Sequence, residues 1–136
     1  MNITITEGLG RIPVTILQTH GDVDASNYQE LIAVAHQAYD KGARAIVLDL
    51  SHTSYMSSSG LVALQSIAAL LRGDSPTDPR AGWEAFRTID RDRDRGLQTG
   101  FKLVNPQPRV DHVLEMVGFK GFLEIHSDLE TAINSY

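Results

Sequence analysis

Ala45-Ile46-Val47-Leu48-Asp49-Leu50 is a short apolar run with almost no alternation of apolar and polar positions. A strand with one face in water alternates; a strand covered on both faces does not. Just upstream, Tyr28, Leu31, Ile32, Ala35, Ala38 and Tyr39 recur at helical spacing, and Gly42 stands as a stop. The spacing predicts a helix over about 25–41, opened by a capping box at Asn27–Glu30 or Ser26–Gln29. A helix leading into a fully covered strand is half of a crossover and requires a parallel neighbour.

That neighbour lies further upstream. Ile3 and Ile5 alternate with Thr4 and Thr6, Gly8 and Gly10 mark a turn, and Ile12, Val14 and Ile16 alternate again. Two strands joined by a turn read as a hairpin. Downstream, Leu61, Leu64, Ala68 and Leu71, with Ile67 beside them, predict a second helix over about 59–72. Phe101–Asn105 is a further strand, and Pro106 and Pro108 open a third helix with Val110, Val113, Leu114 and Val117 on its apolar face and Gly118 as its stop. Phe122–Ile125 reads as a short edge strand. Ser127-Asp128-Leu129-Glu130 reads as a capping box before a last helix with Leu129, Ala132 and Ile133 inward.

The segment 73–99 breaks this rhythm. It holds Gly73, Pro76, Pro79 and Gly82, then a run of alternating charges through Arg95. It reads as a partly disordered surface insertion, with Trp83, Phe86 and Ile89 at the spacing of one short docking helix. The expected order is therefore ββαβα-insertion-βαβα, an α/β fold with a mixed sheet. The C-terminal helices are expected on one face. The 136 residues fit one domain, 1–136.

Composition narrows the function. With no cysteine, disulfides, thiolate metal sites and cysteine nucleophiles are excluded, and a reducing, cytoplasmic setting is expected. The first residues read as a strand rather than a signal peptide, and no apolar run approaches the roughly 18 residues of a membrane span. The net charge of −5 disfavours nucleic-acid binding. The five histidines, His20, His36, His52, His112 and His126, contain no i, i+4 pair. Asp22 and Asp24 lack a ligand-rich loop, so neither a metal nor another cofactor is expected. Ser58, His52 and Asp49 suggest a hydrolytic triad only superficially, because the loop lacks the Gly-x-Ser-x-Gly elbow.

The informative stretch is Leu48-Asp49-Leu50-Ser51-His52-Thr53-Ser54-Tyr55-Met56-Ser57-Ser58-Ser59-Gly60-Leu61. A covered strand delivers a serine-rich loop to a helix N-terminus, where unpaired amides and the positive dipole end lie. A serine there can cap the helix or carry a phosphate that those amides tolerate.

Leu48-Asp49-Leu50-Ser51 followed by Ser58-Ser59-Gly60-Leu61 resembles the signature of STAS domains, the family of anti-sigma factor antagonists. Gly21-Asp22-Val23-Asp24-Ala25 is similar to the family's element before its first helix. Lys102-Leu103-Val104-Asn105-Pro106, with Val113-Leu114 and Val117-Gly118-Phe119, is similar to its C-terminal half. The likeness spans about 3–72 and 100–134.

It implies a STAS-like sheet packed by helices and a bacterial, non-enzymatic binding protein acting by partner switching in transcription regulation. The implied partner is an anti-sigma factor with serine kinase activity, reset by a phosphatase. The implied phosphorylation site is Ser58, and the implied contact residues are Asp22, Asp24, Ser57, Ser58, Ser59 and Gly60. Two departures stand out. Ser57 occupies the place of the family's loop aspartate, and the 73–99 segment is longer than the family's link. The missing carboxylate favours an alternative, a non-phosphorylated STAS subunit of an ABC lipid-transport or sensory complex. A ligand-sensing STAS domain is a third reading. Trp83 and Phe86 are candidate partner anchors, or else pin the insertion to the body.

Overall fold

The computed structural model describes residues 2–72 and 98–136. Its elements run β1 (Asn2–Leu9), β2 (Pro13–His20), α1 (Tyr28–Asp40), β3 (Ile46–Asp49), α2 (Ser58–Arg72), β4 (Phe101–Val104), α3 (Pro108–Met116), a 3-10 turn (Phe119–Gly121), β5 (Glu124–His126) and α4 (Leu129–Asn134). The five strands form one sheet in chain order. β1 and β2 are antiparallel, and β2, β3, β4 and β5 are successively parallel. The expected ββαβα–βαβα order is the observed one. The reading of 73–99, including Trp83, Phe86 and Ile89, falls almost wholly outside the described residues.

β3 accounts for the unbroken apolar run. Ile46 and Leu48 enter a core built with α1, α2 and α3, whereas Val47 enters a second cluster with Val14, Ile16, Ala45, Val104 and Ala132. Both faces of the strand are covered, so both parities are apolar. The second cluster also corrects the expected placement of the C-terminal helices. α3 packs on the face shared with α1 and α2, and α4 covers the opposite face through Ala132, Leu129 and Ile133. The first core is anchored by the fully buried Phe101, Phe119 and Phe122. α2 is covered on every side from Gly60 to Leu70, more completely than its apolar stripe implied.

Several boundaries differ from expectation for local reasons. Neither predicted capping box opens α1. Asn27 sits at its N-cap position without a side-chain cap bond. Its amide instead reaches upstream, accepting from the Asp24 N–H at 2.9 Å and donating to the Asp22 carbonyl at 2.8 Å. At the other end the expectation holds. Gly42 adopts φ 108, the Gly42 N–H bonds to the Tyr39 carbonyl and the Ala43 N–H to the Ala38 carbonyl, which is a Schellman stop. α4 is capped one residue later than expected, by Asp128, whose carboxylate accepts from the Thr131 amide at 2.8 Å and its hydroxyl at 2.8 Å. The last strand is Glu124–His126, because Phe122 and Leu123 are taken into the core by the 3-10 turn.

One polar cluster ties the sheet to the chain beyond α4. Lys102 is buried on β4, and its ammonium lies 3.0 Å from a Glu124 carboxylate oxygen and 2.8 Å from the Ser135 hydroxyl. It also stands 4.3 Å from the Tyr136 ring centre. A buried cation needs such partners. The Tyr136 hydroxyl donates to the Ile46 carbonyl at 2.8 Å and lies 3.2 Å from that of Gly100. Burial, with the Glu124 charge nearby, pushes this phenol above its ordinary range. Tyr136→Phe is expected to cost about 1 kcal/mol, the usual worth of such a hydrogen bond, read as a lower urea midpoint at unchanged slope.

Candidate functional site

Two loops leave the C-terminal ends of neighbouring parallel strands, 21–27 after β2 and 50–57 after β3, and they are laced together. The Gly21 N–H donates to the His52 carbonyl at 3.0 Å, the Val23 N–H to Tyr55 at 3.1 Å, and the Ser57 N–H to Val23 at 2.9 Å. Val23 and Met56 thus form a single parallel bridge that continues the β2–β3 pairing beyond the strands. Beneath it both side chains are buried in the main core. The Ser54 hydroxyl donates to the Asp22 carboxylate at 2.9 Å, and the Thr19 and Thr53 hydroxyls share a buried 2.6 Å bond.

α2 rises from this platform. Ser57 is its cap position: its carbonyl accepts from the Leu61 N–H at 3.2 Å, and its own hydroxyl is buried without a hydrogen-bond partner among the described residues. Ser58 is exposed in the first turn, Ser59 is half-buried and Gly60 is buried. At Gly60 a side chain has no room. A Cβ would collide with Met56 Cγ and lie 3.1 Å from Val23 Cγ1 and 3.2 Å from the Val23 carbonyl oxygen. Glycine lets the helix end sit directly on the bridge. The first-turn amides beside Ser58 have no partner within the helix and lie at the positive end of its dipole.

The fold therefore brings the 21–24 loop and the serine cluster together, with distinct roles for the two aspartates. Asp22 bonds to Ser54 on the serine-bearing loop. Asp24 faces the start of α1, where its carboxylate takes the Ser26 hydroxyl at 2.5 Å and amide at 2.9 Å. Those bonds hold its carboxyl below the ordinary range. Neither aspartate bonds to Ser57, Ser58 or Ser59. The superficial triad dissolves into other roles. Asp49 accepts from the Gln18 amide at 2.9 Å and the Ser51 N–H at 3.0 Å. His52 stacks on His20 with ring centres 5.1 Å apart.

The sequence reading missed the rim. Tyr55 is 41% exposed, and the Arg109 guanidinium of α3 lies 5.5 Å from its ring centre. Gln107 donates to the Ser51 carbonyl at 2.9 Å, which brings the start of α3 to the same surface. An aromatic residue inside an otherwise polar loop was the available signal for Tyr55. Nothing local in the sequence pairs it with Arg109, more than fifty positions away.

Paired loops at one end of a sheet, an exposed serine on a helix N-terminus and a Tyr–Arg rim make up the candidate site. The chain belongs to the STAS domain family, whose model matches residues 2–74, just over half of its length. Similar solved structures include an anti-sigma factor antagonist from Mycobacterium paratuberculosis, 19% identical with a TM-score of 0.65, covering 98% of this chain and 93% of that one. A putative anti-sigma factor antagonist from Thermotoga maritima is 19% identical at 0.63, covering 90% and 86%. The anti-sigma factor antagonist SpoIIAA of Bacillus is 18% identical in both its unphosphorylated form, at 0.59 over 97% and 95%, and its phosphorylated form, at 0.53 over 98% and 98%. Such identities establish the shared fold. A search among curated proteins gave no match.

Two outcomes follow. Gly60→Ala should destabilise the protein by roughly 1–3 kcal/mol, as overpacking does. Combined with Met56→Ala it should cost less than the sum of the two single changes in a double-mutant cycle. The carbon-detected titration of Asp24 should have its midpoint below the ordinary 3.8, and Ser26→Ala should move it back up. A depressed folded-state value contributes stability above the unfolded value that is lost as the pH falls through the folded one. The Ser26→Ala protein should therefore lose its disadvantage only in acid.

Proposed function

We propose that the protein is an antagonist-type binding module that docks an anti-sigma factor with serine kinase activity and is released by phosphorylation of Ser58. One observation carries the reading: Ser58 is exposed in the first turn of α2, on a rigid platform, in a chain of the STAS family. Ser57 and Ser59 are each partly covered, so Ser58 is the member of the cluster most open to a kinase. The name and the two forms of the neighbour SpoIIAA agree with this chemistry.

A phosphate on Ser58 adds about −1.5 to −2 charges at pH 7 beside free helix-end amides. The fold tolerates that charge. A docked partner does not, because a charge buried at an interface without a counter-ion costs several kcal/mol. The switch therefore acts on the complex and leaves the domain intact. Asp22, Ser57, Ser58, Ser59, Tyr55 and Arg109 form the proposed contact surface, with Gly60 buried beneath it and Asp24 bonded to Ser26 at the start of α1. Action by binding also suits Asp49 and His52, whose bonds and stacking serve the loops. The setting would be the bacterial cytoplasm, with a phosphatase restoring the unmodified form. Among the described residues no helix is long and apolar enough to cross a membrane.

The alternative, a STAS subunit of an ABC lipid-transport or sensory complex that is never phosphorylated, draws on one observation. Ser57 offers a kinase no carboxylate and already serves as the cap position of α2. The two readings part in one experiment. The protein is incubated with ATP and the serine kinase encoded nearest to it, and the product is mapped by mass spectrometry. Phosphate on Ser58, absent from Ser58→Ala, is the expected result. Absence of modification across 57–59, with co-purification of a permease, would support the alternative.

A further inference from the structure

We infer that the outer edge of β1 is a self-association surface, and that a second copy of this chain adds to it antiparallel through its own β1. The inference is independent of the partner-switching reading and concerns a different part of the molecule. It begins with the phase of the sheet's hydrogen bonds. The Thr15 N–H donates to the Ala45 carbonyl at 2.9 Å, so the backbone of Thr15 and Leu17 faces β3. Val14, Ile16 and Gln18 therefore face β1, where they stand opposite Gly8, Thr6 and Thr4. Ladder bonds consequently occupy Thr4, Thr6 and Gly8, and the N–H and C=O groups of Ile3, Ile5, Glu7 and Leu9 point away from the sheet.

Free edges of this kind template further pairing unless charge, proline or a bulge blocks them. β1 is eight residues long and pairs with β2 without interruption. It contains no lysine, arginine or proline, and Glu7 is its single charge. Ile3, Thr4, Ile5 and Thr6 are β-branched, as edge pairing favours. Apolar exposure is concentrated in the same place. Of the five exposed large apolar residues among the described ones, Ile5, Leu9 and Ile12 belong to the β1–β2 hairpin, at 52%, 80% and 43% exposure. Ile5 and Ile12 also line a groove of about 500 Å³ with Val34 and Ala38 of α1.

The strand is complementary to itself, which selects a second copy as the occupant. In an antiparallel pair centred on Ile5, the outward groups of Ile5 meet those of the partner's Ile5. Ile3 and Glu7 meet Glu7 and Ile3 in turn, so the two glutamates are not opposed. The two exposed isoleucines then cover one another on the α1 side of the joined sheet.

Sedimentation across a concentration series tests this. The full chain should dimerise. Ile5→Pro should remove the dimer, because the N–H it deletes faces outward and proline is tolerated at such edge positions. Ile5→Lys, a surface change that leaves the backbone alone, should weaken dimerisation at least about tenfold. Hydrogen exchange gives the register: Ile5 and Glu7 amides should become protected as the concentration rises, while Thr6 and Gly8 are protected throughout. A wild-type chain that stays monomeric across the series would overturn the inference. So would dimers of both variants as strong as the wild type, or equally fast exchange of Ile5 and Glu7 at both ends of the series.

Discussion

The bridge between Val23 and Met56 is the contact on which the candidate site depends. Two loops without regular structure would ordinarily move independently. Here three backbone hydrogen bonds join them, and two buried side chains tie the joint to the core. α2 begins two residues after Met56 and closes onto the bridge at Gly60, where a side chain would collide. The exposure of Ser58, the burial of the Ser57 hydroxyl and the reach of Ser54 to Asp22 all follow from that closure. Rigid support of this kind keeps a recognition surface ordered before its partner arrives, which lowers the cost of binding.

The fold was largely legible in the sequence because its signals are physical necessities. A strand covered on both sides must be apolar at both parities, and Ile46–Leu48 is. A helix that stops within one residue needs a left-handed position, and Gly42 supplies it. What could not be read is what depends on competition among polar side chains. Asn27 had the sequence of a cap, yet the carbonyl of Asp22 and the amide of Asp24 claimed its side chain first. Ser127 and Asp128 were both plausible caps, and the carboxylate that could bind both the amide and the hydroxyl of Thr131 prevailed. The face taken by α4 was equally hidden, because its short apolar stripe fits either side of a sheet.

The candidate site divides along the same line. Its serines and its loop pairing partners were visible as neighbours in sequence, and the fold brings the two segments together. Its rim was not visible. Arg109 reaches Tyr55 from α3 only because Gln107 fastens the start of that helix to Ser51. Tyrosine and arginine dominate binding energy where a partner shields them from water, so under the proposed docking reading Tyr55 and Arg109 are candidate anchors. The buried Lys102 was also unread, since only the cluster of Glu124, Ser135 and Tyr136 explains a cation within β4.

The central claim is that a partner docks on the paired loops and the start of α2. Backbone chemical-shift mapping with the cognate anti-sigma factor addresses it most directly. The account predicts that the largest shifts fall on Asp22, Ser54, Tyr55, Ser57–Gly60 and Arg109, and that Ser58→Glu removes them while leaving the rest of the spectrum folded. Shifts centred instead on β5 and α4, or unchanged binding by Ser58→Glu, would contradict it.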